Sequence, residues 1–107
     1  MQLTAVVALF SDASGPLTET ELWAWVERGW VRPERAQSGP VFHDIDIARV
    51  RLIHDLRIAM RVEEDTIPVI LSLLDQVHDL RAGLHAVLRA VDAQPANVRA
   101  SILASIN

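Results

Sequence analysis

Apolar and polar positions follow several different rhythms along this chain. Leu3, Val6, Val7 and Phe10 fall on one face of a short helix, with Thr4 placed to cap it. The run is rich in Val, so a strand fits the same residues. Ser11 to Pro16 reads as a turn, because Gly15 and Pro16 both interrupt helices. Thr18 and Glu21 then stand at capping-box spacing: the Thr oxygen takes a free backbone N–H and the Glu returns a bond to the Thr18 amide. A helix over Glu19 to Arg28 follows, and Gly29 is placed to end it. Leu22, Trp25 and Val26 share its inner face, while Trp23, about 100° round from Leu22, points outward.

Residues 30–42 obey no helical period. Trp30-Val31 and Val41-Phe42 flank a polar stretch containing Pro33, Gly39 and Pro40, the pattern of a small two-stranded hairpin. Asp44 and Asp46 suit the start of a helix running to about Val62. Its apolar residues, from Ile45 to Met60, cover more than one stripe, which predicts a helix packed on two sides. Glu63-Glu64-Asp65 opens the next element, with Pro68 tolerable in the first turn.

From there Thr66, Ile70, Leu73, Val77, Leu80, Leu84, Val87 and Val91 alternate steps of four and three. That is the a/d rhythm of a helix seam. Ile67, Leu71, Leu74 and Leu88 form a second edge, mostly in the first half. The first half is therefore expected to pack on its own domain, and the second half to seek another chain. If the seam is instead buried within one chain, the segment after Pro95 is all that remains to cover it. That segment carries an apolar edge of Val98, Ile102 and Ile106 on a short last helix.

Composition narrows the functions. With 107 residues the chain is expected to be one domain, 1–107. Its parts are residues 3–43, a connecting helix 44–62, a dimerisation helix 63–93 and a terminal helix 95–106. Half the residues are apolar and 22% are charged, which excludes a disordered chain. There is no Cys, so a Cys-ligated metal, a disulfide scaffold and a thiol nucleophile are excluded. There is no Lys either; all ten basic residues are Arg and the net charge is −4. No segment has the length of a membrane span, and the N-terminal run lacks a basic flank and the length of a secretory signal, so a cytoplasmic location is expected. No nucleophile elbow, phosphate loop or dinucleotide fingerprint occurs, so no enzyme and no cofactor are expected. His43, Asp44 and Asp46, and Asp75, His78 and Asp79, are close in sequence but give too few donors for a metal site.

The order helix, turn, helix, hairpin, long helix carries a resemblance. Val26-Glu27-Arg28-Gly29-Trp30-Val31-Arg32-Pro33, then Val41-Phe42-x-Asp44, then Arg49-Val50-Arg51-Leu52-Ile53-x-x-Leu56-Arg57, resembles the MerR-like superfamily. Leu73-Leu74-Asp75-Gln76-Val77-His78-Asp79-Leu80 is similar to the dimer helix of the chaperone-modulator CbpM group within it. The resemblance covers residues 3–90 and leaves out the helix after Pro95. It implies an all-α, MerR-like winged helix-turn-helix with a small wing and a long C-terminal dimerisation helix, paired antiparallel in a homodimer. It also implies the function: binding the J-domain of a CbpA/DnaJ-like co-chaperone and inhibiting its co-operation with DnaK. The other reading within the superfamily is a DNA-binding transcriptional regulator.

The residues weigh between these. A helix that reads DNA needs basic or amide side chains at base edges and cations around them. Residues 19–28 carry three carboxylates and one terminal Arg, and residues 1–43 hold three Arg against five acids. Such a surface repels a duplex and attracts a basic partner, and the resemblance implies that J-domains present a basic helix. The expected partner-binding residues are Glu19, Glu21, Trp23, Glu27, Trp30 and Arg32; the same Glu residues also fit a merely solvated face. Trp30 fits either an interface anchor or a ring packed between hairpin and helix. His54, Arg57 and Arg61 form a basic stripe that could meet an acidic loop or a phosphate, or pair with Asp75 and Asp79 in a dimer. The expected dimer interface is Leu73, Val77, Leu80, Leu84, Val87 and Val91.

Overall fold

A computed structural model describes residues 1–11 and 15–106. The chain is mainly helical: α1 Leu3–Ala8, α2 Glu19–Glu27, α3 Asp44–Ile58, α4 Ile67–Asp92 and α5 Ala96–Ile106, with a hairpin of β1 Glu34–Ala36 and β2 Gly39–Val41 between α2 and α3. No helix among the described residues is long and apolar enough to cross a membrane. The backbone divides into two compact units, one from Met1 to Leu71 and one from Ser72 onward.

In the first unit every helix contributes to one core. Val6 comes from α1, Leu22 and Trp25 from α2, Val50, Ile53 and Leu56 from α3, and Ile67 and Leu71 from the start of α4. Phe10, Leu17, Trp30, Val31 and Phe42 fill the spaces between them. The segment Leu3–Ala8 is a helix, not a strand, and Gln2 rather than Thr4 sits at its N-cap. Most of the expected turn over Ser11–Pro16, Asp12 to Ser14, lies outside the described residues. Helix α2 starts where its capping spacing places it: the Glu21 N–H donates to the Thr18 hydroxyl oxygen at 3.2 Å. The Glu21 carboxylate accepts from that hydroxyl at 3.0 Å, where the pattern has it reach the Thr18 amide. Gly29 closes the helix at φ +77°, a conformation that costs other residues a Cβ clash.

The hairpin exists, but not with the strands expected. Trp30 and Val31 are buried in the core instead of pairing, and the exposed, polar Glu34–Ala36 pairs antiparallel with Gly39–Val41. Local apolarity pointed to Trp30-Val31; burial against α2 claims those side chains before Pro33 releases the chain outward. The free side of β2 is taken by the N-terminal residues. Gln2 bridges Val41, the Met1 nitrogen donates to the Phe42 carbonyl at 2.9 Å, and the Phe42 N–H donates to the Met1 carbonyl at 2.6 Å.

Helix α3 begins as read, with the Asp46 carboxylate accepting from the His43 N–H at 2.9 Å. It ends at Ile58, four residues before the expected Val62, because Arg61 takes a left-handed φ of 52° and Val62 turns back to donate to the Leu56 carbonyl. Met60, expected within the helix, lies beyond its end and is exposed, as are Ile45 and Ile58 near its two ends. The expected basic stripe is dismantled. His54 is buried against Phe10, with ring centroids 5.2 Å apart, and its Nε2 lies 2.6 Å from the Gly15 carbonyl. A carbonyl oxygen only accepts, so Nε2 carries the proton. Arg57 donates to the Val62 carbonyl and pairs with Glu64, which Arg28 also meets.

The second unit has no core of its own. From Ser72 to Ala90 every side chain of α4 is exposed, and in α5 only Arg99 and Ile102 are half-buried. Pro95 separates the two helices, its carbonyl accepting from the Arg99 N–H at 2.9 Å to open α5.

Candidate functional site

Helix α2 turns Leu22 and Trp25 into the core, and this orientation decides what it shows outside. Residues four apart stack on one face, so Glu19, Trp23 and Glu27 form an outward stripe with the ring between two carboxylates. Trp23 is 46% exposed. Large aromatic surface left half in water beside charged groups is the composition of an interaction anchor rather than of a core.

Two depressions flank the ring. One, of about 490 Å³, lies between α2 and the hairpin and is lined by Trp23, Val26, Glu27, Val31, Arg32, Pro33, Arg35, Ala36, Gly39 and Pro40. The other, of about 480 Å³, is lined by Leu3, Glu19, Thr20, Trp23 and Pro40. Trp23 and Pro40 border both, so the two form one surface with an apolar floor, two carboxylates on the helix side and Arg32 and Arg35 on the hairpin side. Trp30 borders neither depression: at 7% exposure it packs 6.4 Å from the Trp25 ring, lies under the Arg28 guanidinium and accepts a hydrogen bond at its carbonyl from Arg49 Nε.

Four of the six expected partner-binding residues therefore meet here: Glu19, Trp23, Glu27 and Arg32. Glu21 does not, since it lies on the other side of α2 and is engaged with Thr18. Trp30 does not either, because it is buried in the core and has too little exposed area to anchor a partner. Arg35, Pro40 and Leu3 join the surface without having been singled out for it. Arg35 and Pro40 are paired across the hairpin, a register invisible while the first strand was placed at Trp30. Leu3 arrives because the N-terminal residues pair with β2.

His43 lies 2.7 Å from Glu34 on the hairpin, and Asp46 is spent on the helix cap. Among the described residues no group of three or more His, Cys, Asp or Glu side chains is gathered as for a metal ion. Of the expected dimer interface, Leu73, Val77, Leu80, Leu84 and Val87 are exposed along α4, and Val91 is half-buried. No family model, no curated protein and no solved structure matches the chain.

Proposed function

We propose that the chain is a protein-binding module: a CbpM-like modulator that grips the J-domain of a CbpA/DnaJ-like co-chaperone and so blocks its stimulation of DnaK. In this reading α1, α2, the hairpin and α3 form a winged helix-turn-helix of the MerR-like kind, used to hold a protein and not a duplex. The observation that carries it is the Glu19–Trp23–Glu27 stripe. A ring between two carboxylates, beside an apolar depression, suits a basic amphipathic helix: the ring takes its apolar side and the carboxylates its cations. The same stripe lies where a DNA reader would present donors, and carboxylates there repel phosphates.

The module works as a homodimer through α4. The seam of Leu73, Val77, Leu80, Leu84 and Val87 lies open in the single chain, and its pattern is self-complementary when two copies run antiparallel. Leu80 of one copy is then level with Leu84 of the other, and Val77 with Val87. Gly83 falls beside the crossing point. A methyl group added there meets nothing within 4 Å in its own chain, so the lack of a side chain in mid-helix answers to a neighbouring chain coming close.

Calorimetry of the full chain with a cognate J-domain tests the reading. Micromolar or tighter binding with a marked salt dependence is expected, together with suppression of J-domain-stimulated DnaK ATPase. Trp23→Ala and the pair Glu19→Lys/Glu27→Lys should weaken binding at least tenfold, and Glu21→Lys should weaken it far less. No heat at micromolar concentrations rejects the partner. Sequence-specific retardation of promoter DNA with a steep salt slope would establish the regulator reading instead.

A further inference from the structure

Four charged side chains stand around the two depressions, and none is engaged within the chain. Glu19 and Glu27 rise from α2, and Arg32 and Arg35 from the hairpin side. All four are exposed. Arg28 and Arg57 share Glu64, and His43 meets Glu34, but among the described residues Glu19, Glu27, Arg32 and Arg35 have no ion pair. Glu27, Arg32 and Arg35 even border the same depression without meeting across it. Opposite charges thus stand on two banks, with apolar ground between them.

We propose that this surface takes a partner helix of two signs: cations on the flank facing α2, carboxylates on the flank facing the hairpin, and apolar residues between them over Trp23 and Pro40. The inference rests on the reading that the surface grips a helix, and it adds Arg32 and Arg35 as the residues that select which one. Glu19 and Glu27 are eight positions apart, about 12 Å along α2, so cations seven or eight positions apart on a helix laid alongside reach both. A helix with cations on both flanks sets one of them against Arg32 and Arg35, and like charges brought together across an interface cost binding. The two signs also fix direction. Turned end for end, a two-signed helix brings its carboxylates to Glu19 and Glu27, so it lies one way only.

Calorimetry of the full chain with three synthetic helices tests this. Side-chain cross-links hold them helical, and they share one length and one apolar stripe. One carries Arg on both flanks, one Glu on both, and one Arg on one flank and Glu on the other. With a net charge of −4 on the protein, overall attraction alone ranks the doubly basic helix first. The two-signed helix should instead bind at least fivefold tighter than either of the others. Arg32→Glu/Arg35→Glu should move the preference to the doubly basic helix. Arg81→Glu/Arg89→Glu, the same change of charge placed on α4, should keep the wild-type ranking. An unchanged urea transition shows that each variant stays folded. A doubly basic helix that binds the wild type as well as the two-signed one, or no binding of any helix at millimolar concentration, overturns the proposal. If the J-domain binds but the helices are not told apart, the rule of two signs falls and the proposed function stands. If the two-signed helix is preferred while the J-domain gives no heat, the rule stands and that partner is lost.

Discussion

The two units of this chain are built on opposite principles. Up to Leu71, every helix sends side chains into a shared core; from Ser72 on, the described residues bury none. The first unit is stabilised by contacts between residues far apart in sequence, such as Met1 with Phe42 and His54 with Gly15. In the second, hydrogen bonds such as Gln76 to Ser72 and Arg99 to Pro95 run between residues four apart, and most of its apolar residues are exposed. One unit covers its own apolar residues, whereas the other leaves most of its own exposed. The difference shows that hydrophobic patterning states which residues want cover and is silent about which chain supplies it.

That contrast can be broken experimentally. The largest effect is expected at Phe42, which is 1% exposed. Phe42→Ala should destabilise the first unit by about 3–5 kcal/mol in urea titrations followed by tryptophan emission. Leu80→Ala, at 73% exposure, should leave that transition within about 0.5 kcal/mol and change only the concentration dependence of association. Equal losses at the two sites would mean that the units share one core. Next comes His54→Ala, which removes the donor to Gly15 and the ring against Phe10; a loss of about 1–3 kcal/mol is expected. Thr18→Ala removes the α2 cap and should cost about 1 kcal/mol in the same titration. Smallest is Arg28→Ala: its pair with Glu64 is exposed, and about 0–1 kcal/mol of loss, reduced further by salt, is expected.

The features legible in the sequence are those set by neighbours along the chain. Thr18 with Glu21, Gly29, Asp46 and Pro95 each mark a helix boundary through local hydrogen bonding or backbone freedom, and each lies at or beside one. The outward Trp23 follows from helical period once Leu22 is turned inward. The misread features depend on distant partners. His54 looked like a surface cation because its acceptor, the Gly15 carbonyl, lies 39 residues away. Trp30 and Val31 looked like a strand because an apolar pair beside a turn fits a strand and a core linker equally well. Arg61 left the stripe because the helix stops early, through a turn of backbone that its side-chain pattern does not report. At the candidate surface, Glu19, Trp23 and Glu27 are readable from spacing, whereas Pro40 and Arg35 require the hairpin register.

The pairing of Met1 and Gln2 with Val41 and Phe42 sets an order of events during synthesis. Met1 and Gln2 cannot settle until Phe42, 41 positions on, has left the ribosome, and α3 must also emerge before the core can close. The helical segments downstream need no such wait, since a helix forms within about a microsecond from local contacts. The first unit is thus made before the second yet finished late, and the helices of the second take shape almost as soon as they appear.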